Sequence, residues 1–259
     1  KILDNKQISS DKLIKDFLNY IKELQQVNYN NLNIDEWKNI YHELCEWSIK
    51  IDELSNVDFK KILDDEKENI NNNYSKYISN TYKYWIDNPL DRPTMSSDIF
   101  DRCFKPIINK NQLVFIIIDC FRLDQWKQIS PLLKENYKIN EDIHVSILPT
   151  ATPFARNSIF SGMMPLEIKE NYAELWNEMF LKSKYNSFED ELLKKVLEKN
   201  NFYNKSIHYE KISHHQDGIK FYNKLGSYKN IDVLSVVVNF VDILGHSRSE
   251  SEILNELIP

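Results

Sequence analysis

The sequence LVFIIID, residues 113–119, decides the fold of this chain. Apolar residues, most of them β-branched, run without polar interruption into the carboxylate of Asp119. A run of this kind without alternation predicts a strand that is buried on both faces, as in the parallel sheets of α/β proteins. Asp119 would then lie at the carboxyl end of that strand, where open α/β sheets bind ligands. The alternative is that Asp119 only caps the helix that follows.

The sequence after residue 88 alternates between patterns typical of strands and patterns typical of helices. Strands are predicted at 113–118, 143–148, 206–209 and 233–241. Helices are predicted near 124–136, after residue 152, and around the apolar residues of 192–197. This alternation predicts an α/β layered fold for the second part of the chain.

Residues 1 to 88 contain no convincing strand. Apolar residues recur at helical spacing in 13–24, 37–51 and 62–85, and we expect the third helix to break near the asparagines at 71–73. Three antiparallel helices of this kind form a small bundle. The sequence NPLDRP, residues 88–93, cannot continue a helix because of its prolines. We therefore predict a three-helix bundle domain over 1–88 and an α/β domain over 89–259.

Composition and charge narrow the class of protein. The formal net charge is −6 and no basic stripe is present, which argues against a general nucleic-acid-coating protein. Cys45, Cys103 and Cys120 are far apart in sequence, which fits a reducing compartment better than a disulfide scaffold. No apolar run reaches about 18 residues, so we expect a cytoplasmic protein without membrane insertion. Because Lys1 follows no methionine or signal peptide, we expect that residues have been removed upstream.

The stretch LPTATPFARN, residues 148–157, opens a predicted helix. Pro153 suits the first turn of that helix and Thr152 suits its N-cap. Capping alone would explain Thr152. A hydroxyl at this place also faces unpaired N–H groups and the positive end of the helix dipole, which favours binding of a phosphate or stabilisation of an alkoxide.

The stretch NFVDILGHSR, residues 239–248, follows the strand predicted at 233–241. Asp242 and His246 could bind one metal ion if the turn between them is tight, which Gly245 would allow. This spacing alone is a weak signal. The signal becomes stronger because Asp242 and His246 are expected at the same edge of the sheet as Asp119 and Thr152. Two carboxylates, a hydroxyl and an imidazole at one edge are what a two-metal phosphoryl-transfer site requires.

Three stretches, 117–126, 148–162 and 239–248, resemble the PglZ domain of the alkaline phosphatase superfamily. More narrowly, the chain is similar to the PorX-type response regulators of type IX secretion, in which a receiver domain, a three-helix bundle and a PglZ domain follow one another. The resemblance extends over nearly the whole chain, including the sequence RPTMS at 92–96, and residues 1–6 look like the end of a receiver domain.

The resemblance implies a zinc-dependent phosphodiesterase that cleaves nucleotide or oligonucleotide phosphodiesters with two zinc ions, or with manganese. Asp119 would bind one ion, and Thr152 would be the nucleophile and bridge towards both. Asp242 and His246 would bind the other ion. Thr150 is the second candidate for the nucleophile.

The resemblance also directs attention to Arg156 and Asn157, which are candidates for phosphate contacts. It further implies a homodimer that is regulated by phosphorylation of the receiver domain.

One departure from the family pattern concerns the metal ligands. Family members complete the two sites with an Asp-His pair and a further histidine, whereas this sequence has no Asp-His dipeptide and no histidine after His246. We expect the chain to be a fragment of a longer PglZ domain. The alternative is a catalytically incomplete signalling module that docks a sigma factor or a secretion-system component. A third reading is another phosphoryl or sulfuryl transferase of the superfamily, because a fold does not determine a substrate.

Overall fold

The computed structural model describes the backbone of residues 2–247 and the side chains of residues 11–246. The chain divides into two compact units, of which the first comprises 1–93 and 122–141 and the second comprises 94–121 and 142–259. The helices are α1 Ile2–Leu24, α2 Ile34–Leu54, α3 Val57–Asp87, α4 Leu123–Lys134, α5 Thr152–Ser161, α6 Pro165–Asn171, α7 Ala173–Leu181, α8 Glu189–Lys199, α9 His215–Lys224 and α10 Phe240–Ser247. The strands are β1 Leu113–Ile118, β2 Ile207–Ile212 and β3 Val233–Val238.

The first unit is built on α1, α2 and α3, as the helical periodicity predicts. Phe17 of α1 is fully buried, and its ring lies 5.5 Å from that of Trp47 and 5.6 Å from that of Phe59. Each buried side chain of this size stabilises the fold by roughly 1.5–3 kcal/mol. The helices bury apolar stripes against each other, which is the packing expected of a bundle.

The predicted break in the third helix is wrong, because α3 runs without interruption through the asparagines at 71–73. Ile70 is buried, and Tyr74 packs against the same core. Asn73 donates a hydrogen bond to the backbone carbonyl of Asn69 at 2.9 Å. Tertiary packing on both sides of the asparagines therefore overrides their low helix propensity.

Helix α4 belongs to the first unit, although it follows β1 in sequence. Lys127 of α4 donates to Glu46 of α2 at 2.9 Å. Trp126 donates through Nε1 to Glu141 at 2.5 Å, and Glu141 lies 3.7 Å from His42 of α2. The division into domains 1–88 and 89–259 stays a prediction, but the compact units assign 122–141 to the bundle side.

The second unit contains a parallel sheet with the strand order β1-β3-β2. Leu113 of β1 and Ile207 of β2 both align with Val233 of β3. One face of the sheet packs against a core formed with α5, α7 and α8. On the other face, Leu234 and Val236 of β3 form a smaller cluster with Tyr228. The carboxyl ends of all three strands therefore lie at one edge, as the α/β reading predicts.

The prediction that β1 is buried on both faces is wrong for the described part of the chain. Phe115 and Ile117 pack against the core, whereas Val114 and Ile116 are 50% and 56% exposed. Burial alternates because β1 is an outer strand of the described sheet and the smaller cluster lies over β3 and β2.

The strand predicted at 143–148 is also wrong. Among the residues that the structure describes, this segment does not join the sheet and pairs only through an isolated bridge between Val145 and Met95. The N–H of Val145 donates to the carbonyl of Thr94 at 2.8 Å. Val145 and Ile147 are buried, so their apolar pattern reflects packing of an extended segment outside the sheet.

The predicted fold class is confirmed: an α/β unit with a parallel sheet accompanies an all-α bundle. Within the part of the chain that the structure describes, every helix is too short or too polar to cross a membrane.

Neighbouring residues of β1 test its one-sided burial. We expect Ile117→Lys to lower the free energy of unfolding by about 3 kcal/mol or more, because it places a charge against the core. Ile116→Lys is the matched control and should cost less than about 1 kcal/mol, because its side chain is already half exposed. Urea denaturation of both variants measures the difference, and equal losses would contradict the one-sided burial of β1.

Candidate active site

The carboxyl ends of β1 and β3 deliver two polar side chains to the same edge of the sheet. Asp119 directly follows β1, and its N–H donates to the carbonyl of Val238 at 3.0 Å. Asn239 directly follows β3, and its N–H donates to the carbonyl of Ile212 at 2.8 Å. Asp119 does not cap the next helix, because α4 begins four residues later with Arg122 at its N-cap. The alternative explanation of Asp119 as a cap is therefore wrong.

Asp242 lies in the first turn of α10, and this corrects the predicted strand 233–241. Strand β3 ends at Val238 and α10 begins at Phe240. Residues four apart on a helix lie on the same face, and His246 Nε2 is 3.5 Å from Asp242 Oδ1. The helix itself therefore brings the two side chains together, and Gly245 does not form a tight turn between them.

Thr152 was predicted to be the N-cap of this helix, but it is the first residue of α5. The N-cap is Ala151, whose side chain has no acceptor, so no side chain that the structure describes caps the first turn of α5. Such a helix start favours an anion. Thr150 lies outside the helix and is exposed, whereas Thr152 is half-buried. The local structure thus distinguishes the two threonines.

Arg156 connects α5 to both strand ends. It is buried one helical turn after Thr152. Its Nη1 donates to Asp119 Oδ2 at 2.7 Å and to Asn239 Oδ1 at 2.8 Å. Its Nε donates to a carboxylate oxygen of Glu189. One guanidinium therefore joins the helix of Thr152 to the segments that follow β1 and β3.

Glu189 is a buried carboxylate with hydrogen bonds on both oxygens. Asn186 Nδ2 donates to Oε1 at 2.9 Å, and Tyr209 Oη donates to Oε2 at 2.5 Å. Lys211 Nζ lies 3.8 Å from the same carboxylate. Burial lowers the pKa of Lys211, and burial together with the Glu189 charge raises the pKa of Tyr209. The cluster buries several ionisable groups, all of them partnered.

Asn157 points into the packed interior, where its side-chain amide bonds to protein carbonyls. Its Nδ2 donates to the carbonyl of Pro153 at 2.8 Å and to the carbonyl of Tyr185 at 2.9 Å. Arg156 is likewise occupied by protein carboxylates. The phosphate contacts of both residues stay predictions, and the contacts seen here are structural.

Negative charge accumulates around Asp119. The pKa of Asp119 is raised from its ordinary value. Burial is the largest cause and the charge of Asp242 adds to it, whereas the neighbouring Arg156 opposes the rise. Cys120 adopts a positive φ of 57° and donates through Sγ to Asp242 Oδ1 at 2.9 Å. This hydrogen bond, together with burial and the charges of Asp242 and Asp119, raises the pKa of the Cys120 thiol to about 11. A bound cation would relieve the repulsion between the two carboxylates.

The side chains fit a zinc ion in type and, in part, in placement. Carboxylate oxygen and imidazole nitrogen are ordinary zinc ligands, and Asp242 and His246 face each other closely enough to share one ion. Among the described side chains, however, no group of three histidine, cysteine, aspartate or glutamate residues is close enough to hold a metal. A metal site formed by Asp119, Thr152, Asp242 and His246 therefore stays a prediction.

Sequence reasoning missed Glu189 and Asn239 as members of this site. Glu189 lies in an acidic first turn of α8, which looks like an ordinary exposed helix start. Asn239 belongs to the stretch 239–248, but the strand was predicted to extend to residue 241. The prediction therefore placed Asn239 inside the strand, whereas it directly follows the strand. A correctly predicted end of the strand would have identified Asn239 as a candidate site residue. No local sequence pattern distinguishes Glu189 in this way.

Two family models match the chain, and the one that matches the second unit also runs through residues 122–141, which the compact units place with the bundle. Residues 99–258 match the family model of the BREX-system PglZ alkaline phosphatase-like domain, which covers more than half of the chain. Residues 7–86 match the linker domain of PorX response regulators. No curated protein matches the chain.

Removal of Arg156 should strongly destabilise the second unit. We expect Arg156→Met to cost about 3–5 kcal/mol, because it leaves buried Glu189 without its main cationic partner. Arg122→Met is the control, since Arg122 pairs with Asp124 at the surface and such pairs contribute less than about 1 kcal/mol. Chemical denaturation at neutral pH measures both, and a similar small loss for the two variants would contradict a stabilising role of the buried pair.

Proposed function

The chain belongs to the family of BREX-system PglZ alkaline phosphatase-like domains, and from this premise we propose that it is a metal-dependent phosphodiesterase with Thr152 as its nucleophile. The observation that carries the proposal is the connection made by Arg156. It joins the helix that begins at Thr152 to Asp119 and to Asn239, three residues before Asp242. Segments distant in sequence thereby converge on one sheet edge with the residue types that phosphoryl transfer uses.

The proposed cofactor is a pair of zinc ions, or manganese, held by Asp119, Thr152, Asp242 and His246 together with further ligands. When bound, the ions would lower the pKa of the threonine hydroxyl and neutralise charge on the phosphoryl oxygens.

The remaining chemistry belongs to the chain. The uncapped start of α5 favours the anionic phosphodiester. Thr152 Oγ1 gives up its proton and forms a bond to phosphorus while the bond from phosphorus to the leaving alkoxide breaks, and a proton passes to that alkoxide so that it leaves as an alcohol. Water then attacks the phosphothreonine, which releases the phosphate monoester and restores the hydroxyl. Arg156 keeps Asp119 in place through both steps.

The linker match supports a role as the output domain of a response regulator. We propose nucleotide or oligonucleotide phosphodiesters as substrates, action in the cytoplasm, and a homodimer whose formation depends on receiver phosphorylation. The acidic net charge of −6 fits small or short substrates better than long nucleic acid.

A second candidate function is a docking module that binds a sigma factor or a secretion-system component. The observation in its favour is that the described side chains contain no group of three metal-binding residues of the histidine, cysteine, aspartate and glutamate types. A response-regulator linker is compatible with either kind of output.

Substitution of Thr152 separates the two functions. We expect Thr152→Ala to lower the hydrolysis of a chromogenic phosphodiester by at least about a thousandfold, because the covalent step loses its nucleophile. Thr150→Ala is the matched control and should retain activity, since Thr150 lies outside α5. Zinc content by elemental analysis accompanies the assay. Equal activity of the wild type and Thr152→Ala would reject Thr152 as the nucleophile, and absence of both zinc and turnover in the wild type would favour the docking module.

A further inference from the structure

We propose that Glu189 is a positioning residue, which orients the Arg156 guanidinium so that Arg156 in turn fixes the carboxylate of Asp119. The geometric part concerns Glu189, Arg156 and Asp119 alone. The consequence for metal binding rests on the proposed function.

Several contacts, and not a single hydrogen bond, hold the Glu189 side chain in place. Its side chain is fully buried, Asn186 donates to one of its oxygens and Tyr209 donates to the other. It is also the first residue of α8, where the positive end of the helix dipole favours a carboxylate. The carboxylate is therefore a fixed reference point next to Arg156.

The planar guanidinium transmits this fixed orientation. Its N–H groups lie in one plane in a rigid fork, so a partner that holds Nε also sets the directions of the other donors. With Nε on Glu189, Nη1 points to Asp119 Oδ2 at 2.7 Å and to Asn239 Oδ1 at 2.8 Å. Charge-assisted bonds of this length are among the stronger hydrogen bonds in proteins. Loss of the partner at Nε would free the guanidinium to rotate and release Asp119.

An effect on metal binding follows from the place of Asp119. Residues that orient metal ligands without touching the metal typically change metal affinity by about 10–100-fold when they are replaced. Arg156 occupies Asp119 Oδ2, and the N–H of Cys120 donates to Asp119 Oδ1 at 3.2 Å. The carboxylate thus has a defined orientation before any ion binds.

The test compares Glu189→Leu, Glu189→Gln and Glu66→Leu in the chain. Leucine removes the acceptor for Arg156 Nε, whereas glutamine keeps an oxygen there and should rescue. Glu66→Leu is the matched control, since Glu66 is a mostly buried carboxylate of the bundle that accepts from Asn69 at 2.9 Å.

Two readouts are taken from each folded variant. The first is the carboxyl ¹³C resonance of Asp119 in metal-free, ¹³C-aspartate-labelled protein, which Asp119→Asn assigns. The second is the zinc Kd from competition with a chromogenic chelator.

We expect Glu189→Leu to shift the Asp119 resonance and to raise the zinc Kd about tenfold or more. Glu189→Gln should lie closer to the wild type, and Glu66→Leu should match it on both readouts. An unchanged Asp119 resonance in Glu189→Leu would overturn the inference. A shifted resonance with an unchanged zinc Kd would support the positioning role and overturn its consequence for metal binding.

Failure of the proposed function has a different signature. If the wild type binds no zinc, the metal-dependent function is rejected, while the Asp119 resonance still decides whether Glu189 positions this carboxylate. If Glu189→Leu does not fold, Tyr209→Phe takes its place, because it removes one hydrogen bond from Glu189. We expect this variant to shift the Asp119 resonance and raise the zinc Kd, both by less than is expected for Glu189→Leu.

Discussion

The Arg156 guanidinium is the interaction on which the candidate site depends. It bonds to Asp119 after β1, to Asn239 after β3 and to Glu189 at the start of α8, and it lies one turn after Thr152 on α5. These segments are separated by long stretches of sequence, so no local rule brings them together. Without the guanidinium, Asp119 and Glu189 would be two carboxylates in an interior with weaker compensation from Lys211.

A buried ion pair of this kind has a cost that an apolar core does not have. Removal of two charges from water costs several kcal/mol per ion, and replacement by packed apolar residues is often neutral or stabilising. The adjacent core around Phe160 and Leu192 shows that this unit can fill its interior with apolar side chains. What such side chains cannot do is orient a carboxylate at the sheet edge. The polar cluster is therefore better explained by geometry at the site than by net stability.

The sequence predicted the local features of the fold and the site well, and the long-range features poorly. Strand β1, Asp119 at its end and a helix that starts near Thr152 all follow from short patterns. One-sided burial of β1 could not be read from its apolar run, because burial depends on which elements cover each face. The segment 143–148 has the composition of a strand, but strand pairing is decided by distant partners. Glu189 was missed for the same reason, since only folding brings it to Arg156.

Each candidate ligand is placed by a different local rule. Asp119 lies at the end of a strand, and Thr152 lies in the first turn of a helix. Asp242 and His246 are four residues apart on α10, which puts them on the same face of that helix. Local rules alone leave the distances between these groups undetermined. Arg156 links Asp119 to the helix of Thr152. Through Asn239 it also reaches the start of α10. Because Asn239 accepts both this hydrogen bond and the N–H of Ile243 in α10, the guanidinium also anchors the beginning of the helix that carries Asp242.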